Sequence, residues 1–379
     1  MTAIDPTPYV LTVPEADIDD LHSRLDRTRW PVPLPGDDWA TGVPTGYLRN
    51  LASRWRHEFD WRASEARLNA CPQLTAVVDG IPVHFLHVRS EHAGALPLLL
   101  THGWPGSVFE FLDVIAPLTD PPDPADAFHL VIPSLPGFGL SGLPEKPWNV
   151  ERIATAWCTL MSALGYERFG VQGGDIGAAV SPAVGRAVPD RVVGVHLNGS
   201  QVFVPPDTVD EDTIASLTAV ERDRLDRIGT FMHQEYGYIS IQSTRPQTLA
   251  YGLTDSPVGQ LAWMVDKFKA WTWPIEALPE DVLGLNRLLE HVTLYWLTAT
   301  AGTSGFTGYA TASWGDPPRP SGVPTGLIQF GHDIGIRRFV EREHRVTHWT
   351  DVDHGGHFAA MEEPGVLVDD IRAFYRQLR

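Results

Sequence analysis

Cysteine is nearly missing from this chain. Its 379 residues include two, Cys71 and Cys158, and the second lies in an apolar helical stretch. Neither a disulfide framework nor a cysteine-built metal site is expected on that count. Positive charge is also scarce: 29 Lys and Arg against 47 Asp and Glu leave a formal net charge of −18. A nucleic-acid groove or an anionic membrane surface would need clustered bases, so neither is expected as a partner, and the excess reads as a solvated acidic surface. No window approaches the roughly 18 consecutive apolar residues of a membrane span. The start, MTAIDPTPYVLTVPEADIDD, has no basic segment leading into an apolar one. Low-complexity tracts and internal repeats are lacking too. A soluble, cytoplasmic protein is the expectation.

What is present is an ordinary apolar fraction, 43%, in a length that suits one large α/β domain with an insertion. Residues 1–80 read as a helical, tryptophan-rich arm. Thr12 and Glu15 are placed to form a capping box around Pro14, opening a helix with Ile18, Leu21 and Leu25 inward. WPVPLP at 30–35 must be irregular. From about residue 74 the period changes: TAVVDG and IPVHFLHV predict a hairpin around Asp79-Gly80. Short apolar runs then alternate with helical patterns (LPLLLTHG, HLVIPSLPG, RFGVQGG, VVGVHLNG), with NVERIATAWCTLMSALG as a helix between the second and third of them. Strands apolar on both faces and separated by helices mean a mostly parallel sheet covered on both sides. The first part of this core spans 81–200. Residues 201–320 change character and read as an inserted, mainly helical lid. The core resumes over 321–379 with TGLIQFG, HRVTHWT and a closing amphipathic helix.

Chemistry is concentrated where strands break. VQGGDIGAAV, residues 171–180, is a strand running into a glycine-flanked turn with Asp175 at its apex and a helix of small residues behind. Small, any, nucleophile, any, small is the layout of a nucleophile elbow. Gly173, Gly174 and Gly177 suit its torsions and the close helix–strand approach. A carboxylate at a helix N-terminus is favoured as an anion, so Asp175 is a nucleophile that needs no activating base. Its attack on a saturated carbon would give an ester. Hydrolysis of that ester requires a base, an orienting acid and an oxyanion hole. In this kind of turn-and-sheet arrangement, acid and then histidine follow the nucleophile along the chain. Asp333 in GLIQFGHDIG and His357 in DHGGHFAAMEEP hold those places, with Asp351 and Asp353 as competing acids. LLLTHGWPGS ends a strand in a turn that can aim the Trp104 amide at the site, and the amide of Ile176 is the second donor.

Singly, these signals are weak. Asp between glycines is commonly a turn residue, and any one of 15 histidines is commonly just surface or core. Jointly, in order and each at the C-terminal end of a strand, they mark the end at which parallel sheets bind ligands.

On those residues the chain resembles the epoxide hydrolases of the microsomal type, α/β-hydrolase enzymes with an N-terminal meander. HGWPGS, PSLPGFGLS (133–141), GGDIG, QSTRPQTLAYGLTDSPVGQLAW (242–263) and GGHFAAMEEP stand in corresponding order over nearly the whole chain. The resemblance implies an α/β-hydrolase fold with a helical lid, Asp175 as nucleophile, His357 as base, and the acid in the loop that contains Asp333. It also implies two lid tyrosines that bond the epoxide oxygen, falling on Tyr238 in EYGYISIQ, with Tyr236 a near neighbour, and on Tyr309 in GFTGYATAS. Many relatives carry Trp after the nucleophile where this chain has Ile176, and AGTSGFTG departs from the usual approach to the second tyrosine. The membrane anchor of some relatives is not seen.

The implied reaction converts a small, largely apolar epoxide and water into a vicinal diol, with no cofactor and no metal. Two rivals stay open. A haloalkane dehalogenase shares the nucleophilic aspartate but needs halide donors, commonly a Trp beside it. A hydrolase-fold binding protein would hold a ligand without turning it over. Detoxification, natural-product biosynthesis and assembly into a homo-oligomer are all left open.

Overall fold

The computed structural model describes residues 4–200, 202–310 and 320–379, without the side chains of residues 308 and 309. Nine strands form one sheet: β1 (Thr7–Tyr9), β2 (Gln73–Val78), β3 (Ile81–Val88), β4 (Leu96–Thr101), β5 (Phe128–Pro133), β6 (Phe169–Gly173), β7 (Val192–Asn198), β8 (Pro324–Gln329) and β9 (Arg345–Asp351). Their order is β1-β2-β3-β5-β4-β6-β7-β8-β9. The first three strands run antiparallel, β3 meets β5 antiparallel, and every pair from β5 to β9 is parallel.

The parallel part is covered on both faces, and the sequence shows why. Along β4, Leu98 and Leu100 join one buried cluster while Leu99 joins the other; along β5, Leu130 and Ile132 oppose Val131 in the same way. Successive side chains of a strand point to opposite faces, so an unbroken apolar run requires cover on each. The helices Val150–Ala163 and Ile176–Ala187 bring Ile153, Trp157, Val180 and Val184 to one face. Leu112–Thr119 and Pro364–Tyr375 bring Val114, Leu118, Ile371 and Phe374 to the other. Each such side chain contributes about 1.5–3 kcal/mol on burial.

The β2–β3 hairpin pairs Val78 with Ile81, leaving Asp79 and Gly80 as a two-residue loop, both at positive φ (47° and 87°). That is the loop an Asp-Gly pair predicts. The capping box expected at Thr12 and Glu15 does not form: Pro14 occupies the N-cap without a side-chain bond, and Glu15 is drawn instead to Arg62 at 2.6 Å. A capping box does occur farther on, between Thr218 and Glu221. The short strand β1 was not anticipated in the helical arm. Three residues carry too little periodicity to be seen, and only pairing with β2 makes them a strand.

Between β7 and β8 the described residues form helices and turns only, running from Pro206–Thr208 to Gly305–Ala310. The N-terminal helices pack on this stretch: Trp55 donates from Nε1 to Thr293 Oγ1 (2.8 Å), and Tyr47 donates to Glu280 Oε2 (2.6 Å).

Candidate active site

Four loops leave the C-terminal edge of the parallel strands and converge. Asp175 follows β6 with φ 51° and ψ −123°, a conformation that L side chains rarely adopt, and the helix Ile176–Ala187 begins at the next residue. Glycines on either side make the turn sterically feasible. A Cβ on Gly177 would lie 1.9 Å from the Thr101 carbonyl oxygen, and one on Gly173 would lie 2.4 Å from the backbone of Gly177. On the facing turn, a Cβ at Gly103 would fall 2.2 Å from Asp175 Oδ1. That bare backbone lets the Trp104 amide donate to Oδ1 at 2.9 Å. The Ile176 amide, first in its helix, has no carbonyl one turn back to bond.

His357 brings Nε2 to 3.6 Å from Asp175 Oδ2. Enclosure lowers its pKa below the usual imidazole value, with the Asp175 charge opposing. The ring is thereby biased toward its neutral, basic form. Asp333 is buried in the loop after β8, where it accepts the Phe330 amide at 2.7 Å. Burial pushes its carboxyl up to about 7, against the pull of that amide and of Arg224 and Arg227. Asp351 is instead engaged at the surface by Arg224 (2.7 Å) and Trp349 (2.9 Å), and Asp353 is fully exposed beside His354. Of the three aspartates, only Asp333 lines the cavity that Asp175 and His357 line.

The helical stretch holds both loops in place. Arg224 and Arg227 donate to the carbonyls of Gly335 (3.0 Å) and Gly331 (2.9 Å), bracketing Asp333. The His357 amide donates to Trp271 O (2.9 Å), and His332 Nε2 lies 2.9 Å from Ala270 O. The Gly331 and His332 amides in turn bond the carbonyls of His354 and Gly355. Carboxylate loop and histidine loop are thus stitched to each other and to the end of the helix Pro257–Trp271.

Tyr238 lines the same cavity as Asp175, on the helix Gly237–Thr244, with its ring stacked on Trp104 at 5.1 Å. Burial, reinforced by the Asp175 charge, raises its phenol well above the usual value, so it stays a hydrogen donor at neutral pH. Tyr236 packs edge-on to Phe231 instead, and is not among the residues lining the cavity. Tyr309 belongs to the helix Gly305–Ala310, which packs on the Tyr238 helix; its side chain lies outside the described residues. The cavity holds about 350 Å³, its apolar wall including Phe203, Phe231 and Trp271.

Comparison with known proteins identifies the family. Residues 6–111 match the family described as epoxide hydrolase N terminus, and residues 97–225 match the α/β-hydrolase fold family. A candidate epoxide hydrolase of Stigmatella aurantiaca is 42% identical over 98% of this chain and 85% of its own length. Epoxide hydrolase 1 of Oryctolagus cuniculus is 33% identical over 97% of this chain and 88% of its own. The chain belongs to the epoxide hydrolase family. The solved structure of Aspergillus niger epoxide hydrolase superimposes with a TM-score of 0.89 at 32% identity, covering 100% of this chain and 97% of that one. The α/β-hydrolase fold expected from the sequence is therefore the fold it has. Among the described residues no helix is long and apolar enough to cross a membrane.

Three inward-turned side chains near this epoxide hydrolase site, two of them buried, carry no signal in the sequence. Glu362 accepts the amides of Trp273 and Phe358, both at 2.9 Å, and burial raises its carboxyl to about 7. Glu110, beneath the Trp104 turn, is raised to about 8 by burial and by Asp175. Gln242 sits in the wall beside Tyr238. Glu362 stands within GGHFAAMEEP and Glu110 three residues past HGWPGS, but nothing local says that they turn inward.

Proposed function

We propose that the protein hydrolyses a small, largely apolar epoxide to a vicinal diol through a covalent ester on Asp175. The observation that carries this is one carboxylate with two different neighbours: Oδ1 bonded to the Trp104 amide and Oδ2 facing His357. The first oxygen is fixed, and the second is free to attack. Back-side displacement on a ring carbon forms the C–O ester bond and breaks the ring C–O bond, whose electron pair goes to the departing oxygen. An alkoxide leaves poorly unless it is protonated or strongly hydrogen-bonded, and the phenol of Tyr238 supplies this, with Tyr309 as its counterpart. His357 then takes a proton from water, which adds to the ester carbonyl. The resulting oxyanion falls where the amides of Trp104 and Ile176 point. Asp333 orients the imidazole and balances its charge. In this reading the helical stretch over 201–320 is the lid that dries the site, the N-terminal helices are its buttress, and the enzyme acts in the cytoplasm.

The test is a single turnover in heavy-oxygen water. Because the first diol takes its new oxygen from Asp175, it should be unlabelled, and label should enter the carboxylate instead. Label in the first diol would mean direct attack by water. Halide release from haloalkanes, measured alongside, separates the dehalogenase reading.

A pH dependence follows from the buried acid. If Asp333 must be ionised to support the imidazole, ester hydrolysis should rise with pH through about 7, since its carboxyl is held protonated below that point. The lowered His357 value places its own limb at more acid pH. Asp333→Asn should therefore remove the limb near 7 and slow hydrolysis at all pH values. The rate of ester decay after stopped-flow mixing reads this directly.

A further inference from the structure

A small side cavity opens off the main one. It shares Asp175, Tyr238 and Ile239 with it and is closed by Trp104, Ile176 and Gln242. Its water-accessible volume is about 20 Å³, room for one oxygen-sized group. Its walls are mostly apolar, yet one member does not fit an apolar pocket. Gln242 is 7% exposed, and its Nε2 is fully buried with no hydrogen-bond partner among the described residues. Buried amide donors are nearly always satisfied, so a native site with an orphan donor is one that an acceptor enters. Ser304, the remaining polar wall, uses its hydroxyl on the Ala301 carbonyl at 3.2 Å.

Position on the helix identifies the acceptor. Gln242 follows Tyr238 by four residues on the helix Gly237–Thr244, so the two side chains share one face, one turn apart. Both therefore approach from the helical stretch, whereas Asp175 approaches from the sheet. Displacement at carbon sends the leaving oxygen to the side opposite the attacking carboxylate, which is the side those two donors occupy.

We propose that Gln242 is a further catalytic residue of ring opening: its Nε2 donates a hydrogen bond to the departing epoxide oxygen, beside the Tyr238 phenol, in this side cavity. The inference rests on the reading of Asp175 as nucleophile. Gln242 transfers no proton; the alkoxide is protonated from the phenol, which is restored from water, and the amide bond only stabilises the charge as it develops. Ile176, Ile239 and Trp104 keep that bond dry and therefore strong. Ile176, an aliphatic wall of that cavity, presents no polar group of its own to the departing oxygen.

Gln242→Leu removes the donor at nearly constant size. With styrene oxide as the probe and tryptophan fluorescence as the signal, its ester-forming phase should slow on the order of 10²-fold, as for loss of one preorganised donor. Its ester-decay phase should be unchanged. Gln242→Glu adds a pH signature: the protonated acid can donate while the carboxylate repels the alkoxide, so ester formation should be partly restored at acid pH and lost as pH rises. Equal ester-forming rates in wild type and Gln242→Leu would overturn the assignment. So would slowing of both phases together with no pH dependence in Gln242→Glu, which is the mark of a packing residue. Failure of the wild-type protein to form any ester would instead refute the nucleophile reading itself, and mass spectrometry of the quenched enzyme tells the two failures apart.

Discussion

Asp175→Ala should be inert toward epoxides and yet fold as well as the parent. The expected fall in turnover is 10⁴-fold or more, on the order of what removal of a residue central to covalent catalysis costs in other hydrolases. Its folding is the more informative half. Position 175 holds a non-glycine residue at φ 51°, a strain of about 1–3 kcal/mol. The turn itself is packed through its glycine backbones, and the bond that Asp175 accepts from the Trp104 amide is one that a water entering the vacated space can replace. Alanine keeps the strain and removes the charge; Asp175→Gly removes both. Thermal unfolding should therefore place Asp175→Ala at or above the parent and Asp175→Gly higher still, the trade-off expected where a site is strained for function. An Asp175→Ala protein that still makes diol would end the covalent reading. One that fails to fold would show that the carboxylate has a structural duty not evident here.

His357→Gln should separate the two halves of the reaction. Ester formation uses the Asp175 carboxylate and the phenol donors, none of which the substitution removes. Hydrolysis needs the imidazole, whose Nε2 stands 3.6 Å from Oδ2 and so within reach of a water attacking the ester carbonyl. Loss of a positioned general base costs typically 10²–10⁴-fold. The variant should thus consume about one epoxide per protein and stall. Intact-protein mass spectrometry after mixing should show a species heavier by one substrate, stable for minutes to hours and absent from Asp175→Ala. If turnover falls and no adduct appears, His357 acts before the ester forms and the order of steps proposed above is wrong.

The two residues differ in how readily the chain reveals them. Asp175 announces itself, because the elbow is a local device: three glycines, a strand and a small-residue helix stand within ten positions. His357 and Asp333 could be placed only by chain order and by the ends of strands, and Asp333 had two rivals nearby. Deciding among Asp333, Asp351 and Asp353 took the fold. Arg224 and Trp349 hold Asp351 outward, Asp353 is left in solvent, and Asp333 is turned inward onto the Phe330 amide. Glu15 shows the opposite case, a local expectation overridden at a distance when Arg62 drew it away from the cap.

Periodicity and turn chemistry are properties of neighbours in the chain, and they sufficed for the β2–β3 hairpin, the doubly buried parallel strands, the elbow and the helical interruption of the sheet. By itself, then, the sequence determined the architecture and singled out Asp175 as the candidate nucleophile. Tertiary structure alone decided which of the three aspartates lines the cavity, how the helical stretch fastens both loops, and that Gln242 faces a cavity with an unmet donor. Such facts depend on where a side chain finds itself once distant segments pack, and burial of a polar group has no local signature: the same Gln or Glu reads identically whether its partner is water, a backbone amide or a substrate oxygen.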